Sequence, residues 1–128
     1  MGEEVEVQQE KYLDMGTAIS GSGPAYIFLM TESLVDAAVH LGFPRDIATR
    51  LAIATIQGSA SYARQSDASL YDLRARVTSP GGTTASAMYE LEKGGFRTVM
   101  SNAVWAAYRR SLELGEKNLN IGPGRNKF

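Results

Sequence analysis

The residues best suited to chemistry stand together in one segment, which reads TSPGGTT from residue 78 to residue 84. Gly81 and Gly82 allow the backbone to turn without Cβ clashes. The pattern after the segment is helical, and the first N–H groups of a helix have no partner inside it. We expect these donors, the positive end of the helix dipole and the hydroxyls of Thr78, Ser79, Thr83 and Thr84 to converge on one point. Such a point suits a small anion, either a carboxylate or a phosphate.

The same segment has a purely structural interpretation. Serine and threonine are ordinary N-cap residues, and Pro-Gly-Gly is an ordinary turn. The segment also lacks the lysine of a nucleotide-binding P-loop, which weakens the case for tight phosphate binding. The local sequence therefore leaves an anion site and a plain helix start both open.

Composition excludes several classes of function. The 128 residues suffice for one domain with a real core, and 44% of them are hydrophobic. A formal net charge of −1 argues against a nucleic-acid binder that works by electrostatic attraction. There is no cysteine and His40 is the single histidine, so we expect no metal site. The most apolar run, residues 25–30, is too short to span a membrane. We expect a reducing compartment, the cytoplasm by default, and an organelle matrix stays open.

Helical patterns cover most of the chain. Residues 3–8 alternate between polar and apolar types, which predicts a short extended piece. A Ser-Gly-Ser-Gly-Pro break is expected at residues 20–24, and residues 116–128 have the composition of a flexible tail. Six helices are predicted, over residues 9–18, 25–41, 44–65, 69–77, 83–93 and 96–114.

The second predicted helix, residues 25–41, is apolar on most of its circumference. A helix of this kind must be buried on nearly all sides. A domain of this size supplies such burial more easily through a partner subunit than through its own chain. Elsewhere we expect inward-facing side chains at Tyr12, Leu13 and Met15 in the first helix, and at Ile47, Leu51, Ile53, Ala54 and Ile56 in the third.

Four segments of the chain together resemble a known family. They read ISGSGPAY at residues 19–26, GFPR at 42–45, VTSPGGTT at 77–84 and LEKGGFR at 91–97. In this order and spacing they resemble the C-terminal domain of pyrroline-5-carboxylate reductase, and the resemblance covers roughly residues 3–114. Several independent motifs agree, so the resemblance is specific.

The resemblance implies an all-α domain of the 6-phosphogluconate-dehydrogenase C-terminal-like type, interlocked with a second subunit. Such homodimers often assemble further into decamers. The enzyme of this family transfers a hydride from NADPH or NADH to 1-pyrroline-5-carboxylate and forms L-proline, with the nucleotide on an N-terminal Rossmann domain. Residues 1–8 then correspond to the end of that domain, residues 9–115 to the helical domain and residues 116–128 to the tail. We expect the chain alone to dimerise without turning over substrate.

Carried over to this sequence, the resemblance places the substrate carboxylate at the glycine-rich turn. Thr83 and Thr84 would bind it through backbone N–H groups and hydroxyls, next to Gly81 and Gly82, and Ser79 would donate a further hydrogen bond. No catalytic proton donor is evident.

The resemblance assigns three further residues outside the turn. Glu10, which in isolation reads as a surface carboxylate, matches a family glutamate near the substrate, and Asp67 matches an acidic residue near the ring nitrogen. Arg76 stands where relatives often carry an asparagine that touches the cofactor, and an arginine there could meet a phosphate. Two alternatives stay open: a non-catalytic helical dimerisation module, and a reductase of a related imine or keto acid.

Overall fold

The computed structural model describes the backbone of residues 10–119 and the side chains of residues 12–115. Within these limits the chain is helical and contains no strand, which confirms the all-α prediction. The predicted extended piece and the far end of the predicted tail lie outside the described residues. The α-helices are α1 (Glu10–Gly16), α2 (Gly23–Leu41), α3 (Arg45–Gln65), α4 (Leu70–Arg76), α5 (Thr83–Lys93) and α6 (Phe96–Leu119).

A π-helical segment, Thr17–Gly21, replaces the first half of the predicted break. The Ser22 amide donates to the Thr17 carbonyl at 2.8 Å, which is the i→i+5 bond of a π-helix. The hydroxyls of Thr17 and Ser20 donate at 2.9 Å to the carbonyls of Leu13 and Gly16. These bonds accompany a helical conformation at Thr17 and Ser20, although serine and threonine are residue types that favour turns. Because α2 begins at Gly23, only Ser22 of the predicted break at residues 20–24 lies outside a helix, and the prediction of a break over this range is wrong.

The predicted limits of α2, α3, α4 and α5 are confirmed to within one or two residues. Gly42 ends α2 with a φ of 128°, which an L-residue rarely adopts. Ser69 caps α4 by accepting a hydrogen bond from the Asp72 amide at 3.1 Å. After α5, Gly95 takes a φ of 78° and separates it from α6.

The last helix is longer than the sequence predicts. Gly115 was expected to end it, yet α6 continues through this glycine to Leu119. An isolated glycine within a helix costs roughly 1 kcal/mol relative to alanine, so it weakens a helix without stopping it. Residues 116–119 of the predicted tail therefore belong to α6.

The chain divides into two compact units. Among the described residues the terminal unit comprises residues 10–25 and 97–119, and the central unit comprises Tyr26–Phe96. The core of the central unit consists of Val35 on α2 with Ala48 and Ala52 on α3. In the terminal unit Ala18 is buried.

The large apolar side chains predicted to face inward are mostly exposed. Tyr12, Leu13 and Met15 are exposed on α1, and Ile47, Leu51, Ile53 and Ala54 are exposed on α3; Ile56 is half-buried. Small residues occupy the helix contact because alanine lets two helix backbones approach closely. Searched over the described residues, no helix is long and apolar enough to cross a membrane.

Candidate anion site at the start of α5

A tight turn precedes α5. The Gly82 amide donates to the Ser79 carbonyl at 3.0 Å, which closes a four-residue turn over Pro80 and Gly81. Gly81 has a φ of 71°. Proline at the second position and a positive φ at the third are the features of a type II turn. The third position favours glycine because a Cβ is strained there.

Gly82 is required for a different reason. A Cβ built on this residue would lie 2.7 Å from the Ser79 Oγ and 3.3 Å from the Ser79 carbonyl oxygen. The Ser79 side chain thus packs over Gly82, which is the N-cap residue of α5. As a result the Ser79 hydroxyl stands directly at the N-terminus of the helix.

The backbone donors of this N-terminus have no partner within the described part of the chain. No side chain caps α5, because its N-cap residue is a glycine. The first bond into the helix runs from the Ser86 amide to the Gly82 carbonyl, and the amides of Thr83, Thr84 and Ala85 have no acceptor there. The N-cap of α5 is thus Gly82 and not a serine or threonine, whereas the ordinary Pro-Gly-Gly turn is present. The three unpartnered N–H groups are open to water as well as to an anion, so the anion site stays a prediction.

The hydroxyls of the segment do not all point to this site. The Thr78 hydroxyl donates to the Arg74 carbonyl at 2.6 Å and closes the end of α4. Thr83 is exposed and Thr84 is half-buried in the first turn of α5. The structure thus places Ser79 beside the start of α5, whose first turn carries Thr83 and Thr84, and it uses the Thr78 hydroxyl elsewhere.

The predicted site residues outside the turn lie in three different places. Arg76 is the last residue of α4, and its Nη1 donates to the Tyr62 hydroxyl at 3.1 Å. Asp67 is exposed in the connection between α3 and α4. Glu10 is the first residue of α1 in the terminal unit, and its side chain lies outside the described ones.

Two contacts near these positions escape prediction from sequence. Tyr62 and Arg76 are separated by 14 residues, and nothing in their spacing signals a pair. In the terminal unit the Ser111 hydroxyl donates at 2.7 Å to Asp14, a residue 97 positions away. Among the described residues, no three His, Cys, Asp or Glu side chains are grouped so as to hold a metal ion.

An open apolar groove lies between α2 and α3 in the central unit. Its cavity is about 650 Å³. The side chains of Ile27, Phe28, Ile53 and Ile56 line it, and Glu32 and Arg45 stand among its polar residues. Phe28 is 67% exposed there although it is one of the largest apolar residues of the helix. The groove is the part of α2 for which the sequence predicts burial by another subunit.

Comparison with known proteins identifies one family. Residues 10–114 match the family model described as pyrroline-5-carboxylate reductase dimerisation. Pyrroline-5-carboxylate reductase of Synechocystis is 48% identical over 117 residues, which cover 91% of this chain and 43% of the relative. The enzyme of Pisum sativum is 52% identical over 105 residues, covering 82% of this chain and 38% of the relative. The chain thus spans about two fifths of the length of these curated relatives.

Solved structures agree with the sequence comparison. The pyrroline carboxylate reductase of Plasmodium falciparum with NADP bound superimposes with a TM-score of 0.81 at 44% identity, covering 84% of this chain and 41% of that one. A pyrroline-5-carboxylate reductase of Coxiella burnetii gives a TM-score of 0.82 at 44% identity, with 84% and 40% covered. Since the family model matches most of the chain, the chain belongs to the pyrroline-5-carboxylate reductase dimerisation family.

Proposed function

We propose that this chain is the helical substrate-binding and dimerisation part of a pyrroline-5-carboxylate reductase. The observation that carries the proposal is the uncapped N-terminus of α5 with the Ser79 hydroxyl beside it, in a chain of this family. A carboxylate placed there would accept hydrogen bonds from the amides of Thr83 and Thr84. The partial positive charge of the helix end would stabilise it further.

In this proposal the substrate is 1-pyrroline-5-carboxylate and the product is L-proline. A nicotinamide cofactor, NADPH or NADH, supplies the hydride when it is bound. The carbon of the C=N bond accepts that hydride, and the protonated nitrogen becomes the amine. The residues of this chain act by holding the carboxylate, which fixes the orientation of the ring.

The roles of the remaining predicted residues belong to the same proposal. Glu10 and Asp67 would lie near the substrate, and Arg76 would contribute a cofactor contact. Arg76 uses one of the two Nη1 hydrogens for Tyr62, which leaves four of its five N–H donors for a phosphate. We place the enzyme in the cytoplasm.

We also propose a homodimer, with further assembly of dimers into a decamer. The exposed apolar side chains of the groove between α2 and α3 support a second copy of the chain as the occupant. Burial of such side chains is worth about 1.5–3 kcal/mol each, which makes an exposed groove of this kind a strong driving force for association. Neither a nucleic acid nor a membrane is a partner in this proposal.

The test of the carboxylate site is a titration of the full chain with L-proline, observed through backbone amide NMR shifts. We expect saturable shifts at Gly81, Gly82, Thr83 and Thr84. Thr84→Ala removes a hydroxyl that does not cap the helix, so we expect weaker binding by about three- to tenfold and little change in stability. The matched control is Thr55→Ala, whose hydroxyl donates to the Leu51 carbonyl within α3.

The absence of shifts up to tens of millimolar L-proline would contradict a preformed site in this chain. The alternative of a dimerisation module without chemistry predicts that result. A reductase of another imine or keto acid predicts instead that other small carboxylates bind at the same amides more tightly than L-proline does.

A further inference from the structure

The elements on both sides of the turn have little packing of their own. No residue of α4 or of α5 is buried. Helix α4 has seven residues and closes with local bonds, among them the one from the Thr78 amide to the Ala75 carbonyl at 3.1 Å. Short helices are marginal without tertiary contacts. Within the described chain, therefore, little apolar packing holds the entry to the turn, and the solvent-exposed polar contacts of α4 are the links that remain.

One polar contact joins the end of α4 to a long helix. Arg76 is the last residue of α4 and lies three positions before Ser79. Its Nη1 donates at 3.1 Å to the hydroxyl of Tyr62, which belongs to the last turns of α3. A bond between the two helices at this point restrains the α4 end immediately before the turn.

We propose that Tyr62 and Arg76 are positioning residues for the carboxylate site. Their hydrogen bond holds the end of α4 against α3 and thereby sets the conformation of residues 79–82. A turn that is already ordered loses less entropy when it takes up an anion, so its affinity for the carboxylate is higher. The inference rests on the proposed function and assigns to it two residues outside the turn.

A neighbouring pair on α4 provides a comparison within the same helix. The guanidinium of Arg74 lies 5.2 Å from the ring centre of Tyr71, so this arginine also contacts a tyrosine. That contact uses the face of the ring and stays within one helix, whereas the contact of Arg76 uses the hydroxyl and reaches α3. Removing the hydroxyl of Tyr62 therefore breaks a link between helices, and removing that of Tyr71 breaks none.

The experiment compares Tyr62→Phe with the wild-type chain and with Tyr71→Phe. Two quantities are measured: the dissociation constant for L-proline, and amide hydrogen exchange of Thr78 and Gly82 in the ligand-free chain. For Tyr62→Phe we expect a dissociation constant about three- to tenfold higher and faster exchange of both amides by a similar factor. Exchange of the Ala52 amide in the core of α3 should stay unchanged. Tyr71→Phe should match the wild type in all measurements.

The charge of the arginine is tested separately. Arg76→Lys keeps the positive charge and loses the planar fork that reaches the phenol. We expect this variant to have the L-proline affinity and the amide exchange of Tyr62→Phe, because the turn depends on the hydrogen bond to the phenol and not on the positive charge alone. Wild-type affinity and exchange in both variants would overturn the inference.

The design separates failure of the inference from failure of the proposed function. A wild-type chain that does not bind L-proline refutes the carboxylate site. In that case hydrogen exchange alone tests the ordering of the turn. Unchanged exchange of the Thr78 and Gly82 amides in Tyr62→Phe would then refute the positioning role. Binding in the wild type with equal binding and exchange in Tyr62→Phe refutes only the positioning role.

Discussion

At the residue scale, the side chain of Ser79 occupies the space that a Cβ on residue 82 would need. The two residues therefore depend on each other: a serine hydroxyl can stand at the start of α5 because residue 82 is a glycine. Gly81 serves the turn in another way, through its positive φ. Glycine is thus favoured at the two adjacent positions for different reasons, a steric one at Gly82 and a conformational one at Gly81.

Gly82→Ala tests the steric reason. The new Cβ forces the Ser79 hydroxyl or the turn to move, so we expect loss of most of the L-proline affinity. The stability cost should be about 1 kcal/mol, because the closest atom is the end of a rotatable serine side chain and the change is from glycine to alanine at an N-cap. Affinity is measured by amide NMR and stability by urea unfolding.

Gly115→Ala is the control for this substitution. It lies inside α6, and a Cβ there meets nothing within 4 Å. We expect it to leave binding unchanged and to raise helix stability by up to about 1 kcal/mol. Undiminished L-proline binding in Gly82→Ala would show that the serine does not need its observed position.

At the element scale, the terminal unit is joined by a side-chain bond between distant helices. The Ser111 hydroxyl on α6 donates at 2.7 Å to Oδ1 of Asp14 on α1, and both side chains are partly buried. Hydrogen bonds to a charged acceptor contribute more than neutral ones. The bond thus ties α1 to the last helix of the same unit.

Ser111→Ala should destabilise this unit by about 1–2 kcal/mol, because it leaves a half-buried carboxylate without its donor. Urea unfolding measures the change. Ser33→Ala serves as the control, since the hydroxyl of Ser33 donates to the Leu29 carbonyl within its own helix and its loss should be nearly neutral. Equal free energies of unfolding for the two variants would show that the hydrogen bond to Asp14 does not stabilise the unit.

The elements themselves were largely predictable from sequence, and their tertiary contacts were not. Gly42 and Gly95 follow the ends of α2 and α5 with a positive φ, which suits glycine, so these helix ends agree with the sequence. A glycine does not end the helix at Gly115, because α6 continues through it. The predicted break does not begin at Ser20 either, because the hydroxyls of Thr17 and Ser20 donate to carbonyls of the preceding helical turn.

The candidate site was predictable in part. Local chemistry indicates the turn and the helix start. It does not indicate that Thr78 closes α4 or that Tyr62 contacts Arg76, because those bonds depend on where other helix ends lie. Hydrophobicity alone also predicts the wrong core residues. The core contains Ala48 and Ala52, and the larger apolar residues beside them on α3 are not part of it.

At the scale of the whole molecule, the described residues bury few apolar side chains. The buried apolar residues among them are Ala18, Val35, Ala48 and Ala52. Domains of this size normally bury most of their apolar surface. Exposed residues such as Phe28 and Leu29 therefore support the proposal that a second copy completes the core.

Phe28→Glu places a charge in the groove between α2 and α3. Because a buried unpaired charge is costly, we expect the proposed dimer to dissociate or the chain to unfold. Sedimentation velocity at micromolar concentration measures the first effect and circular dichroism the second. Ser33→Glu, on the same helix but outside the groove lining, should stay folded and keep the wild-type mass. A folded wild-type monomer at this concentration would contradict the proposed dimer.

The π-helical segment between α1 and α2 makes this part of the chain sensitive to the deletion of a single residue. Each residue of an α-helix advances the side-chain direction by about 100°. The bond from the Ser22 amide to the Thr17 carbonyl encloses one residue more than an α-helical bond would. Deletion of one residue from Thr17–Gly21 would restore an α-helical bond and rotate Asp14 by roughly a quarter turn relative to the residues that follow. A one-residue deletion in the connection after α3 would only shorten a loop. Length changes of the same size should therefore be far less tolerated at Thr17–Gly21 than at residues 66–69.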